Sequence, residues 1–451
     1  METEHEPWPL RAAMLAGLGA LAGFLFGEAL SAPSAWQAAF AAFLAGSGLA
    51  FTLSIERLRW QWSAGFALAA GLLPGFVAWW NGPPEAWGAG EGWRLAAALL
   101  AVALAVPLFQ TARDEGGARL PAAAVHRHGW SDLILLAAGA AFAVATILLA
   151  LLLAELFDLI GIGVLSRAFE ETGLPAALAG AAFGASAGLL RDRGNVLGLL
   201  QRVARTILSM LAPVLAAGLV LFVLALPFTG LEILWSKTRA ATPILLLCAT
   251  AALVLANAVA GNEPEEEAAS PLLRWPAAAL AAVILVLAAV AGLSTWKRIE
   301  QHGFTPDRLW ACVFILVAVA VGLAYWTALL RGRWPGPLRR ANVALAVQAA
   351  LLAFVLSLPV VDFGAISARD QVARLEAGRV APDRFDWAAL RFDFGPTGRE
   401  ALMELAEKGP AELRARAIEV LAARDRHSID HAPETAPPPP APAAEPEPPS
   451  H

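Results

Sequence analysis

"PAAALAAVILVLAAVAGLSTWKRIEQHGFTPDRLWACVFILVAVAVGLAYWTALL", residues 276–330, holds two long apolar runs joined by one charged connection. The runs, about 276–296 and 309–330, can each cross about 30 Å of hydrocarbon at about 1.5 Å of helix rise per residue. What the connection "RIEQHGFTPDR", 298–308, does therefore decides the fold. "TWKRIEQH" is made of good helix formers, so the first helix runs on past the apolar block until Gly303 stops it. Thr305 then fits an N-cap, Pro306 the first helical position, and Asp307 complements the dipole of the next helix. The stretch reads as helix, tight corner, helix, the repeating unit of an all-α transmembrane bundle. Arg298 and Arg308 are left over, with no role in the corner that local rules supply.

The rest of the chain repeats that unit. Of 451 residues, 58% are hydrophobic and 16% charged, against about 45–50% and 25% in soluble domains. The surplus falls in blocks, giving a polytopic bundle of about 11 spans: about 12–30, 35–54, 62–80, 94–111, 132–156, 175–190, 204–226, 242–260, 276–296, 309–330 and 341–358. Trp36, Trp60, Trp79, Trp93, Trp130, Trp275, Trp296 and Trp310 lie near predicted ends, where an amphipathic ring suits the headgroup layer. Four regions follow: an N-terminal membrane region over residues 1–130, a membrane core over 131–358, a small helical domain over 359–430, and a tail over 431–451.

Arginine and lysine set the orientation. With the N-terminus in the cytoplasm, the inner connections carry Arg11, Arg57, Arg59, Arg113, Arg119, Arg127, Arg191, Arg193, Arg202, Arg205, Arg274, Arg331, Arg333, Arg339 and Arg340. The outer ones carry only Arg94, Arg167, Lys237, Arg239, Lys297, Arg298 and Arg308. That asymmetry favours N-inside and, with eleven spans, a C-terminus outside. Alanine abundance and the preference for Arg over Lys suggest a bacterial gene, and hence the bacterial inner membrane, with the lipid bilayer as the expected partner. The acidic start "METEHEPWPLR" has no small-residue cleavage site after it, so no cleaved signal peptide is expected.

Beyond Leu358 charged and apolar residues alternate, as in a water-exposed helical domain outside the membrane. "SARDQVARLEAG" has Ser367 as an N-cap and Gly378 as a stop; "GREALMELAEKG" and "PAELRARAIEVLAARDR" read as two further amphipathic helices, the latter opening with Pro410. The tail "APETAPPPPAPAAEPEPPSH" is too rich in Pro, Ala and Glu to bury a core and is expected to be disordered.

Glycine recurs every four residues in the first span (Gly19, Gly23, Gly27) and the sixth (Gly180, Gly184, Gly188). Small residues at that spacing let helices approach closely in lipid, so these are read as packing faces, preferred over the walls of a path. No ionisable residue stands at mid-span, which weighs against a proton-coupled carboxylate relay. Asn257 and Gln348 are the polar amides inside the lipid region, each expected to hydrogen-bond a neighbouring helix. Acidic residues gather toward outer helix ends: Glu28, Glu155, Asp158, Glu170, Glu171, Glu232, Asp307 and Asp362. They are read as solvated loop ends, some balancing Arg167, Arg298 or Arg308. "HRH" at 126–128 has no third ligand nearby and is read as solvated, so no metal site is expected. Cys248 and Cys312 lie in apolar blocks as small hydrophobes. No nucleotide-binding or hydrolase motif and no basic-aromatic surface appears, so neither a cofactor nor nucleic acid is expected, and no catalytic residue can be assigned.

"RIEQHGFTPDRLWA" and, one span later, "VVDFGAISARDQVARL" resemble the bacterial membrane proteins of domain-of-unknown-function family 4153, and "DLIGIG" at 158–163 fits too. Arg298, Gly303, Thr305 and Arg308 carry the first block, and Asp362, Ile366 and Ser367 the second. The likeness spans about 130–420. Where that family usually has Tyr before the glycine, this chain has His302. The resemblance implies a multi-span bacterial membrane protein and no known activity. The candidate outer-face site is therefore Arg298, His302, Asp307, Arg308 and Asp362, with the two arginines expected to meet Asp362. The leading expectation is a non-catalytic envelope protein binding a protein partner through its outer face. The alternatives are a permease or lipid-translocating protein, then an envelope enzyme whose arginines grip phosphate.

Overall fold

Apolar runs of this length can satisfy their backbone in lipid only by coiling into helices, and the computed structural model follows that rule. It describes residues 8, 10–31, 34–230, 240–332 and 334–430, in which no strand occurs. Glu232, Lys237, Arg239, Arg333 and the expected disordered tail lie outside the described residues, as does the acidic segment 1–7.

Eleven helices are long and apolar enough to span a membrane. They are α1 (Arg11–Ser31), α2 (Ala35–Ser54), α3 (Trp60–Trp80), α4 (Ala89–Asp114), α5 (Ala122–Asp158), α7 (Gly173–Asp192), α8 (Gly194–Thr229), α9 (Ala241–Ala260), α10 (Pro271–His302), α11 (Pro306–Leu330) and α12 (Pro335–Ser357). A short α6 (Val164–Glu170), not foreseen, fills the connection after α5. Several helices outrun their apolar cores. α5 has 37 residues and α8 has 36, about 55 Å each at 1.5 Å per residue. Hydropathy marks where lipid is tolerated, whereas the helix continues as long as flanks such as "AAAVHRHGWS" favour it.

Contacts between helix ends sort the connections onto two faces. Thr172 Oγ1 reaches the Gly27 carbonyl (3.0 Å) and Arg94 pairs with Asp362 (3.3 Å) on the face that carries the Gly303 corner. Arg191 reaches the Thr52 carbonyl (3.2 Å) and Arg339 the Ala260 carbonyl (2.8 Å) on the opposite face. The apolar core of the second half joins α8 to α12, with Leu280, Ala281, Leu287 and Tyr325 fully buried. A smaller core of Ala50, Leu53, Val102, Val106 and Leu135 joins α2 to α5.

The two glycine ladders face each other across α1 and α7. A Cβ on Gly19 would stand 2.1 Å from the Gly180 carbonyl oxygen, and one on Gly184 would stand 2.1 Å from that of Leu15. A Cβ on Gly23 would meet Ala176, on Gly27 Thr172, on Gly180 Gly19, and on Gly188 Ala12. Backbone touches backbone along the whole seam, which only glycine allows.

Past the membrane helices the chain forms α13 (Phe363–Glu376), a π-helical turn at Ala389–Asp393, α14 (Gly395–Lys408), α15 (Ala411–Ala422) and α16 (Arg426–Asp430). They close over a core of their own containing Leu375, Trp387, Leu390, Leu402, Ala417 and Val420. Ser367 is not the N-cap of α13. The helix starts earlier, where the Asp362 carboxylate accepts from Ala365 N (3.0 Å), and Ser367 is buried inside it. Asp outcompetes Ser here because its ionised oxygen suits the positive end of the helix.

Candidate functional site

The corner folds as its residues dictate. Gly303 adopts φ +73°, a left-handed conformation that favours glycine, Thr305 accepts from Arg308 N (3.4 Å), and Pro306 opens α11. Arg308 finds a structural role: Nη1 donates to the carbonyls of His302 (3.2 Å) and Gly303 (2.7 Å), satisfying the end of α10. α13 grips the same turn from above. Asp370 accepts from Phe304 N (2.8 Å), Gln371 donates to the carbonyls of His302 (2.8 Å) and Phe304 (2.9 Å), and Arg374 donates to that of Gln301 (2.9 Å). Arg298, Arg374 and Asp307 all come within electrostatic reach of Arg308.

Asp362 belongs to a different cluster. Its carboxylate caps α13 and pairs with Arg94 at the start of α4. Glu91, almost wholly buried, accepts from Gly88 N (2.9 Å) and lies 3.8 Å from Arg94. Trp93 stacks on Trp310 (5.5 Å between centroids), and Trp310 meets Phe363 edge-on (5.2 Å). This latch of α4, α11 and α13 ties the last helical domain to the membrane bundle. Of the five candidate residues, His302, Asp307 and Arg308 share the corner with Arg298 nearby, while Asp362 pairs with Arg94. Sequence reading counted Arg94 only as an outer charge and missed Glu91. Elsewhere among the charged residues expected on this face, Asp158 accepts from Ser166 (3.0 Å), and Arg167 donates to the Gly163 carbonyl (2.8 Å).

The opposite face holds two polar networks, one of them centred on Asn257, which bonds neighbouring helices as expected. There the chain's single tyrosine, Tyr325, is fully buried. It accepts from Asn257 Nδ2 (2.7 Å) and donates to Asn342 Oδ1 (2.8 Å), and Asn342 Nδ2 donates back to Asn257 Oδ1 (2.6 Å) and on to His126 Nε2 (3.2 Å). His126 is thus not a solvated loop residue. The helix of α5 starts before it and turns it inward, with Nδ1 on the Ala122 carbonyl (2.7 Å). His128 instead pairs with Asp114 (3.1 Å). Among the described residues no group of three His, Cys, Asp or Glu side chains is placed to hold a metal.

The second network knits the ends of α2, α3, α4, α5 and α7. Arg113 donates to the Ser54 carbonyl (2.5 Å), Ser63 (3.1 Å), Asp114 (2.8 Å) and Glu56. Gln110 and Asp132, both buried, are joined at 3.1 Å. Asp132 is not at mid-span, where no ionisable residue was expected, but it is buried all the same. It stands where the apolar run of α5 begins, but the helix starts ten residues earlier, so the carboxyl is enclosed rather than at a loop end.

Between these faces lies an apolar groove. A cavity of about 700 Å³ is lined by Trp93, Leu246, Leu253, Trp310, Phe314, Val317 and Val321, with Asp307 at its edge. A second, of about 570 Å³, is lined by Leu253, Val317, Val321 and Leu352, with His126, Asn257 and Asn342 at one end. The shared walls Leu253, Val317 and Val321 make them neighbours along α9 and α11. Gln348, expected to bond a neighbouring helix, instead faces the second cavity, exposed and without a hydrogen bond to any described residue.

A bundle of eleven such helices defines a multi-pass integral membrane protein. The chain belongs to the family described as Domain of unknown function (DUF4153), whose match covers residues 12–405. The match begins near the start of α1, well before the residue-130 limit suggested by the quoted blocks, so the α1–α7 seam lies inside the family's extent. No curated protein and no solved structure matches the chain.

Proposed function

We propose that this protein handles a lipid, receiving the apolar chain of an amphiphile in the groove along α9 and α11. The observation that carries this reading is the wall common to the two cavities, Leu253, Val317 and Val321. It gives a long apolar track with Asp307 at one end and His126, Asn257 and Asn342 at the other. Each cavity is within the range of about 300–1,000 Å³ usual for a small-molecule site. Such a track suits an elongated apolar chain with a polar head at either end. In this reading the charge asymmetry puts the N-terminus in the cytoplasm of a bacterial cell and the Gly303 corner outside. The test is lipid extraction and mass spectrometry of purified protein. Wild type retains a defined lipid, and Ala318→Phe, which fills the groove, loses it while still folding. A folded variant that keeps the same lipid complement overturns the reading.

A second reading, binding of an envelope protein by the outer helical domain, draws support from a cleft of about 530 Å³ between α13 and α14. Arg369, Val372, Glu400 and Leu405 give it mixed charged and apolar walls. The corner itself is already occupied by α13, so a partner would meet the domain rather than the corner. Crosslinking in native membranes tests it: adducts expected at Arg369 and Glu400, their absence counting against it.

A further inference from the structure

We infer that Asp132 is a proton-binding site, holding a proton on Oδ2 that it shares with Gln110 Oε1. Gln110 is fully buried and Asp132 is 5% exposed. The Gln110 amide nitrogen donates to the Leu53 carbonyl (2.5 Å) and to Asp132 Oδ1 (3.1 Å), so both of its hydrogens are used. Two buried acceptors are then left with no donor among the described residues: Gln110 Oε1 and Asp132 Oδ2. They belong to the same amide–carboxyl pair. A single proton on Oδ2 joins them, closing the cyclic acid–amide pair in which each partner donates once and accepts once. Flipping the amide does not resolve the shortage, because Oε1 would then face two acceptors.

The surrounding charges are disposed around Asp132 without bonding it. Arg191 from α7 lies on the terminal carbonyls of α2, Thr52 (3.2 Å) and Ile55 (3.5 Å). Arg113 from α4 is taken by Ser54, Ser63, Glu56 and Asp114, and His128, on α5 itself, pairs with Asp114. None of these three cations donates to Asp132, although all are near enough to feel its charge. Loss of the proton to water on this face leaves an anion whose strongest neighbouring cation is Arg191. That guanidinium then has two alternative seats, the end of α2 or Asp132 Oδ2, and the proton selects between them.

Infrared difference spectroscopy of the purified protein across a pH titration tests this directly. At a pH where exposed aspartates are already ionised, a protonated-carboxyl band is expected that titrates at higher pH, shifts on ¹³C-aspartate labelling and is absent from Asp132→Asn. Wild-type labelling alone suffices if the variant does not fold, because Asp132 is the one buried aspartate among the described residues and the label separates it from buried Glu91. Asp132→Asn, which mimics the protonated pair, keeps wild-type thermal stability and abolishes the pH dependence of hydrogen-exchange protection at residues 52–56, whereas Asp132→Ala loses stability. No aspartate-labelled carboxyl band at a pH where exposed aspartates are already ionised, or Asp132→Asn as unstable as Asp132→Ala, overturns the inference.

Discussion

Arg308 shows how a residue that breaks one rule can serve another. It stands against the charge asymmetry of the connections, yet its guanidinium closes the end of α10 through two carbonyls. Arg308→Ala is expected to lower stability by about 1 kcal/mol, less than a buried charged hydrogen bond because the site is partly exposed. Thermal unfolding in detergent measures it. Gly303→Ala is expected to cost more: its φ is +73°, and a Cβ would stand 2.5 Å from Asp370 Oδ2 and 2.6 Å from Gln371 Nε2. Gly303, Thr305 and Pro306 were legible because capping is local. Arg94 with Asp362, and Asn342 with His126, were not, because residues that distant meet only after the helices have packed. Glu266 supplies a pH dependence. Burial pushes its carboxyl up, but hydrogen bonds from Arg205 and from Asn262 N outweigh that and hold it below the ordinary carboxylate range. Its contribution to stability is therefore present above the unfolded carboxylate range and lost as pH falls through the depressed folded value. Glu266→Gln is expected to flatten the acid limb of a stability–pH profile.

Among the elements, α1 and α7 depend most on a single residue type. Gly184→Ile would drive a branched side chain into the Leu15 carbonyl and is expected to destabilise by about 1–3 kcal/mol or more, the usual scale of overpacking. Gly17→Ile, on a free face of α1, is the control expected to change little. Proteolysis at the α1 end distinguishes the two variants. Four-residue periodicity made the ladders visible in the sequence, but not which helix each would meet. Span centres were likewise legible and helix lengths were not, since the flanks of α5 and α8 are helical without being apolar. The Ser367 cap failed for a related reason: two plausible caps lay close together, and the one next to Arg94 prevailed.

For the whole molecule, the latch of Arg94, Trp310 and Phe363 is the joint between membrane bundle and the last helical domain. Arg94→Ala is expected to speed hydrogen exchange across α13 while leaving α9 and α10 protected. Equal exchange in both proteins would show that the domain is held by the corner contacts alone. The groove could not be read from the sequence at all, because its walls are ordinary apolar residues and its volume comes from how helices are spaced. The α1–α7 seam also has a consequence for the order of events at the ribosome. Its glycines lie about 160 residues apart in the chain, so at about 5–20 residues per second the first helix waits roughly 10–30 s for its partner. Throughout that interval a bare strip of backbone faces the insertion machinery or the lipid. A synthesis pause before residue 173 would leave the newborn chain recognisable to membrane quality control by its very first helix.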